Sequence, residues 1–255
     1  MAVRGRLRVL LGAAPGVGKT YAMLDEGKHL RAGGSDVVIA VVETHGRAAT
    51  AAMTEGMEVI PRHYVECRGI ELPEMDLDGV LAQHPDVALV DELAHTNAPG
   101  SRNEKRWQDV EELLEAGIDV ISTVNIQHIE SLNDVVEQIT GVPQRETVPD
   151  TVLRRASQVE VVDLAPQALR DRLSSGKVYP AERIDAALSN YFRLGNLTAL
   201  RELALLWVAD EVDHALADYR SEHGIDSRWE ARERVVVALT GSREGVTWLR
   251  RGARM

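Results

Sequence analysis

Cysteine occurs once in the 255 residues, at Cys67. An internal disulfide is excluded, and a reducing compartment suits the chain best. Phenylalanine also occurs once, beside five Tyr and four Trp, so the core has to be assembled from Val, Leu, Ile and Ala, with Cys67 expected inside it as a small apolar side chain. No uninterrupted apolar run approaches the ~20 residues of a membrane-spanning helix. The run after Arg6 stops at Gly and Pro without the cleavage pattern of a signal peptide. A soluble, cytoplasmic segment is the expectation.

Metal-ligand spacing is missing too. His45, His95 and His128 stand alone, with no His or Cys partner nearby in sequence, and structural zinc is not expected. Positive charge is in deficit: the net charge is −11, which argues against a general nucleic-acid binder, since neutralising phosphates needs a basic surface. The exception is the stretch from Arg228 onward, where seven Arg, Arg228 included, face three Glu; this shift marks a boundary near residue 227.

What the sequence does contain is alternation. Strand-like apolar runs at 6–12, 36–43, 86–91, 118–124 and 159–164 are interleaved with helical stretches that follow Gly18 and at 47–56, 76–83, 104–116 and 128–140. A short strand is placed around Tyr64–Arg68. This order predicts an α/β fold with a mostly parallel sheet covered by helices on both faces. After Pro166 the pattern becomes helical, at 166–174, 181–192 and 196–221, the last with Leu197, Leu200, Ala204 and Trp207 at helical spacing. The expected organisation is an α/β domain over 1–165, a helical extension over 166–223 packed on it, a linker at 224–227, and from 228 one strand (234–240) and one helix (243–251) of an incomplete second domain.

The strongest chemical signal is Gly12-Ala13-Ala14-Pro15-Gly16-Val17-Gly18-Lys19-Thr20. From Ala13 onward it fits the relaxed P-loop pattern, with Ala where the strict form has Gly, and it lies between a buried strand and a helix as the motif requires. Glycines at 16 and 18 let backbone amides curl around phosphate oxygens, and the following helix turns its positive end to the same anion. Lys19 supplies a mobile charge for the β- and γ-phosphates, and the Thr20 hydroxyl a ligand for Mg²⁺. Only Lys19, Lys28, Lys105 and Lys177 are lysines in an otherwise Arg-rich basic set, so the motif position takes the less common cation.

About 70 residues later, the strand Val87-Ala88-Leu89-Val90 ends in Asp91-Glu92. Asp91 is read as the second Mg²⁺ group and Glu92 as a residue that orients or deprotonates an attacking water or hydroxyl. Asn125, at the end of the next strand, is read as a sensor of the γ-phosphate. The expected catalytic set is therefore Lys19, Glu92 and Asn125, and the expected nucleotide-binding set is Ala13, Ala14, Pro15, Gly16, Val17, Gly18, Lys19, Thr20 and Asp91, with ATP and Mg²⁺ as ligands. The long polar loop 93–102 is expected to respond to nucleotide. Arg102, Lys105 and Arg106 behind it are read as a solvated helix start, with an arginine completing a neighbouring subunit's site as the alternative.

Several strings together resemble the N-terminal domain of the KdpD family of potassium- and turgor-sensing histidine kinases. They are residues 13–20, Glu43-Thr44-His45-Gly46-Arg47, Glu74-Met75-Asp76-Leu77-Asp78, the run from Leu89 to Ser101, the run from Asn125 to Asp134, and the run from Gly195 to Leu205. The strand from Arg234 is similar to the opening of a universal stress protein domain.

The resemblance implies a cytoplasmic ATP-binding module that regulates a membrane-bound two-component kinase controlling high-affinity potassium uptake. The other domains of that kinase are then its partners, with the uptake system and a second copy of the chain as further candidates. No His-box, kinase-lid glycine motif or span is present in these residues, so self-phosphorylation on His is not expected of them. Two enzymatic readings stand beside the regulatory switch: an ATPase or Ser/Thr phosphoryl transferase acting on a partner such as the pump, and a small-molecule kinase or nucleotidyl transferase. Fold alone does not choose among them.

Overall fold

A computed structural model describes residues 3–176, 178 and 187–225. The expected strand at 234–240 and helix at 243–251 lie outside these residues, as does the first half of the helix expected at 181–192; residues 187–189 are helical.

Six strands form one parallel sheet: β1 (Leu7–Gly12), β2 (Val37–Val41), β3 (Glu58–Val59), β6 (Val87–Val90), β7 (Asp119–Asn125) and β8 (Gln158–Val162), in the order β3-β2-β6-β7-β1-β8. The central strands are nearly continuous apolar runs, and β2 and β6 are buried throughout. That is the signature of strands covered on both faces. β8, at the edge, is the more polar Gln-Val-Glu-Val-Val and is only partly buried. β4 (His63–Cys67) and β5 (Ile70–Glu74) form a separate antiparallel hairpin.

Helix α1 (Lys19–Ala32) lies on one face of the sheet, with Met23 and Leu24 packed among Leu10, Ile39, Leu89 and Ile121. Gly27 permits the close approach: a Cβ there would lie 2.5 Å from a Leu89 methyl. The other face carries the larger apolar cluster. Helix α4 (Arg106–Glu115) adds Val110, Leu113 and Leu114 to it, and α8 (Leu194–His223) adds Leu200, Ala204 and Trp207.

A third cluster joins Ala14 and Val17 to Leu169 and Leu173 of α7 (Pro166–Ser174), with Val178, Phe192 and Leu197. The helical extension thus grips the turn after β1. Helices α2 (Ala48–Thr54), α3 (Leu77–Gln83), α5 (Asn133–Thr140) and α6 (Asp150–Arg154) also lie among the described residues.

Contacts divide the chain into a unit ending at Val212 and a second from Asp213. The described part of the second is the end of α8, where the Tyr219 ring stacks on His223 with centroids 4.1 Å apart.

Three expectations are corrected here. The single strand near 64–68 is a two-stranded hairpin; its second strand, Ile-Glu-Leu-Pro-Glu, is largely exposed and shows no apolar run. The helix expected from His128 is broken into 3₁₀ turns at 126–128 and 130–132 before α5 starts at Asn133, because Val148 bridges in parallel to Ile129 and its carbonyl takes the Glu130 amide. Cys67 is only partly buried.

Candidate functional site

In a parallel sheet the loops that leave the carboxyl ends of the strands share one edge, where ligands are held. Here that edge brings together the ends of β1, β2, β6 and β7. The chain leaves β1 at Gly12 and turns through Gly16 (φ 89°) and Gly18 (φ 114°), left-handed conformations that side chains resist, and α1 begins at Lys19. The first bond of α1 runs from the Ala22 amide to the Gly18 carbonyl at 3.0 Å, which leaves the amides of Lys19, Thr20 and Tyr21 without intrahelical acceptors.

Gly16 has a further reason to be glycine. A Cβ there would meet the Val178 methyls at 2.8 and 2.9 Å. From α7, Arg172 donates to the Gly16 carbonyl at 3.0 Å, so the extension fixes the outer side of the turn.

The residues singled out after the turn converge. Lys19 is buried, and its ammonium donates to the Asn125 side-chain carbonyl at the end of β7. The Thr20 hydroxyl lies 3.2 and 3.1 Å from the two carboxylate oxygens of Asp91. Asp91, 1% exposed, also accepts from the Thr123 hydroxyl at 2.5 Å and from the amides of Glu43 and Glu92, both at 3.2 Å. Burial pushes Lys19 down to about 8, against the pull of Asp91. Burial likewise pushes Asp91 above the usual carboxylate range, although the Thr123 hydroxyl, the Glu43 amide and Lys19 oppose it.

Glu92 stands at the mouth of the site in a left-handed backbone (φ 56°), a conformation that costs a non-glycine residue roughly 1–2 kcal/mol. Surrounding bonds hold it there: its amide reaches the Thr123 hydroxyl at 3.1 Å, and its carboxylate meets the His45 ring at 2.9 Å. His45 is itself left-handed at φ 49°. The contact raises His45, chiefly through the Glu92 hydrogen bond and against burial. Burial raises Glu92, but the hydrogen bond and charge of His45, with Arg106 and His95, outweigh it, and the net direction is down.

These groups line a polar cleft of about 110 Å³, together with Arg47, His95, His128 and Glu146. A wider groove of about 990 Å³ adjoins it, lined by residues 16–21, the 45–50 segment and Arg172. Pro15, Gly16, Lys19, Thr20, Asp91, Glu92 and Asn125 face the inner cleft, and Val17 and Gly18 the groove. Ala13 and Ala14 are buried in the apolar clusters and anchor the turn from behind.

Sequence reasoning missed several members of this site. His45, His95 and His128, isolated in the sequence, all line the one cleft. The signal was position: each follows the carboxyl end of a parallel strand. Among the described residues no group of three or more His, Cys, Asp or Glu is arranged for a metal ion, so a cation at Thr20 and Asp91 would draw its other ligands from water or a bound anion.

Arg106 was expected at a solvated helix start, but it is 1% exposed. Its guanidinium donates to the Asp91 backbone carbonyl at 3.0 Å and faces Glu74 at 3.4 Å. Glu74 in turn accepts from the Ala98 amide at 2.7 Å and meets His95 at 3.1 Å. Arg102 does remain at the surface, paired with Asp78 and Glu112. The 93–105 loop is closed by Asn97 and Asn103, which both donate to Asp109.

The family model described as "KdpD: Osmosensitive K+ channel His kinase sensor domain" matches residues 3–212. The chain is 66% identical over 252 residues to a sensor protein KdpD of Mycobacterium tuberculosis, covering 99% of this chain and 29% of that protein. It is 54% identical over 242 residues to the sensor protein KdpD of Escherichia coli K12, covering 94% of this chain and 27% of that protein. A putative sensor protein KdpD of Synechocystis is 49% identical over 253 residues, 99% of this chain and 67% of that protein. The chain thus spans under a third of the length of the first two relatives.

Proposed function

The chain belongs to the KdpD osmosensitive sensor-domain family, and on that premise we propose that it is the ATP-binding regulatory module of a potassium-sensing histidine kinase, acting on the cytoplasmic side of the membrane on the remaining domains of that kinase. In this reading residues 13–20 form a P-loop. The amides of the turn and the Lys19 ammonium hold the phosphates, and Thr20 and Asp91 share the Mg²⁺ that bridges them.

One observation carries the reading: Lys19, Thr20, Asp91 and Asn125, drawn from three strand ends, meet in the inner cleft beside the turn. Their chemistry fits the ligand. The site offers a buried ammonium for an anion, a hydroxyl and carboxylate for a hard cation, and a groove outside them with room for the nucleoside. Nucleotide acts as a signal if it favours one conformational state, and the His45–Glu92 contact, which ties the 43–47 loop to the turn after β6, is an element it would bias. This regulatory role would serve control of high-affinity potassium uptake.

A second reading is transfer of the γ-phosphoryl group to water or to a hydroxyl of a partner such as the potassium pump. The exposed side of the Glu92 carboxylate, held at the mouth of the cleft, favours it. Release of γ-phosphate from radiolabelled ATP separates the two. Saturable Mg-ATP binding without release supports the switch. Release that Glu92→Gln abolishes while binding persists supports the enzyme, and absence of binding removes both.

A further inference from the structure

We propose that Arg47 is a phosphate-binding arginine that grips the terminal phosphate of the bound nucleotide from within the same chain. This rests on the triphosphate reading of the cleft and adds a residue to it.

Arg47 follows the turn His45-Gly46, both residues left-handed at φ 49° and 73°, with its amide bonded to the Thr44 carbonyl at 2.9 Å. It lines both the inner cleft and the outer groove, so it stands where the two meet, next to Lys19 and Thr20. Its Nε atom is buried with no hydrogen-bond partner, and among the described residues Arg47 forms no ion pair.

The acids of the neighbouring turns are committed elsewhere: Glu43 pairs with Arg62 at 2.8 Å and Glu92 with His45 at 2.9 Å. Arg47 and Lys19 line the same cleft, and a multiply charged phosphate placed there would attract both cations.

Two arginines flank the outer groove, and they differ in commitment. Arg172 lines the groove but not the inner cleft, and its guanidinium is bonded to the carbonyls of Gly16 and Val17. Arg47 reaches the inner cleft, beside Asp91 and Glu92. A planar guanidinium binds two phosphate oxygens at once, which a lysine does not. Lys19 is shared between the β- and γ-phosphates, and Arg47, in the inner cleft with Asp91 and Glu92, is placed to add a second cation at the γ-phosphate.

The test is calorimetric titration of the 255-residue chain with Mg-ATP and Mg-ADP. Arg47→Ala is expected to weaken ATP about 10-fold or more and to change ADP by less than about 3-fold, with Arg47→Lys in between. Lys19→Ala is expected to weaken both. If the wild-type chain binds nucleotide and Arg47→Ala leaves the ATP-to-ADP affinity ratio unchanged, whether by losing neither or both equally, this inference fails alone. If the wild-type chain binds neither nucleotide, the triphosphate reading fails with it. Unfolding profiles without ligand check that each variant is folded, and Arg47→Lys, which keeps the charge and most of the stem, carries the test if the alanine variant is not.

Discussion

The Thr20 hydroxyl faces both carboxylate oxygens of Asp91, at 3.2 and 3.1 Å, across 71 residues of sequence. A hydroxyl and a carboxylate this close can exchange their mutual hydrogen bond for a shared Mg²⁺ with little rearrangement. Asp91→Asn keeps the shape and most of the hydrogen bonds but removes the charge. Wild-type ATP affinity should rise at least about 10-fold on adding Mg²⁺, and in Asp91→Asn less than about 2-fold, as read by titration with and without the metal.

Lys19 is held at a cost. Its pKa is lowered from 10.5 to about 8 by burial. The unfolded chain therefore binds the extra proton more tightly than the folded one. The penalty, about 3 kcal/mol, is fully present below pH 8 and fades as pH rises from about 8 to 10.5. At pH 7, Lys19→Met should raise the ligand-free unfolding midpoint by about 2–4 °C, a net gain near 1 kcal/mol once the lost hydrogen bond to Asn125 is counted. The same variant should show no stabilisation by Mg-ATP. A lower ligand-free midpoint would contradict the assignment of strain to this ammonium.

His128, which lines the same cleft, provides a second pH dependence. Its ring Nδ1 lies 2.7 Å from the Glu146 carbonyl. Burial lowers its pKa below 6.5, against the pull of that carbonyl. The folded state then binds fewer protons than the unfolded one just below pH 6.5, and stability contributed by the neutral ring is lost as pH falls through that window. Urea unfolding at pH 7.5, 6.5 and 5.5 should show the loss in the wild-type chain and a shallower one in His128→Gln.

Arg106 is the buried prop of the turn that carries Asp91 and Glu92. Arg106→Met leaves the Asp91 carbonyl without its donor and Glu74 with one cation fewer. The expected loss is roughly 3–5 kcal/mol by chemical denaturation. The double variant Glu74→Gln, Arg106→Met should lose less than the sum of the two single changes, because the pair is coupled.

How much of this the sequence disclosed depends on how local each signal was. The turn at 13–20 was legible because its chemistry is written in consecutive residues, and Asp91 and Asn125 because each ends an apolar strand. His45, Arg47 and His128 were not recognised as one site. Their meeting depends on the order β2-β6-β7-β1, which no local pattern encodes.

Arg106 looked like any polar residue at a helix start. Only the packing of α4 under the turn after β6 buries it. The β4–β5 hairpin was half legible for the opposite reason: its strands are mostly exposed, and β5 includes Pro73, so neither shows the apolar run that marks the central sheet.

The most direct measurement is thermal unfolding of the wild-type chain and Lys19→Ala with and without saturating Mg-ATP. At 100 times Kd, bound nucleotide should stabilise the wild-type chain by about 2.7 kcal/mol, a rise of several degrees, and leave Lys19→Ala unmoved. No rise in the wild-type chain, or an equal rise in both, would contradict a triphosphate held on the turn between β1 and α1.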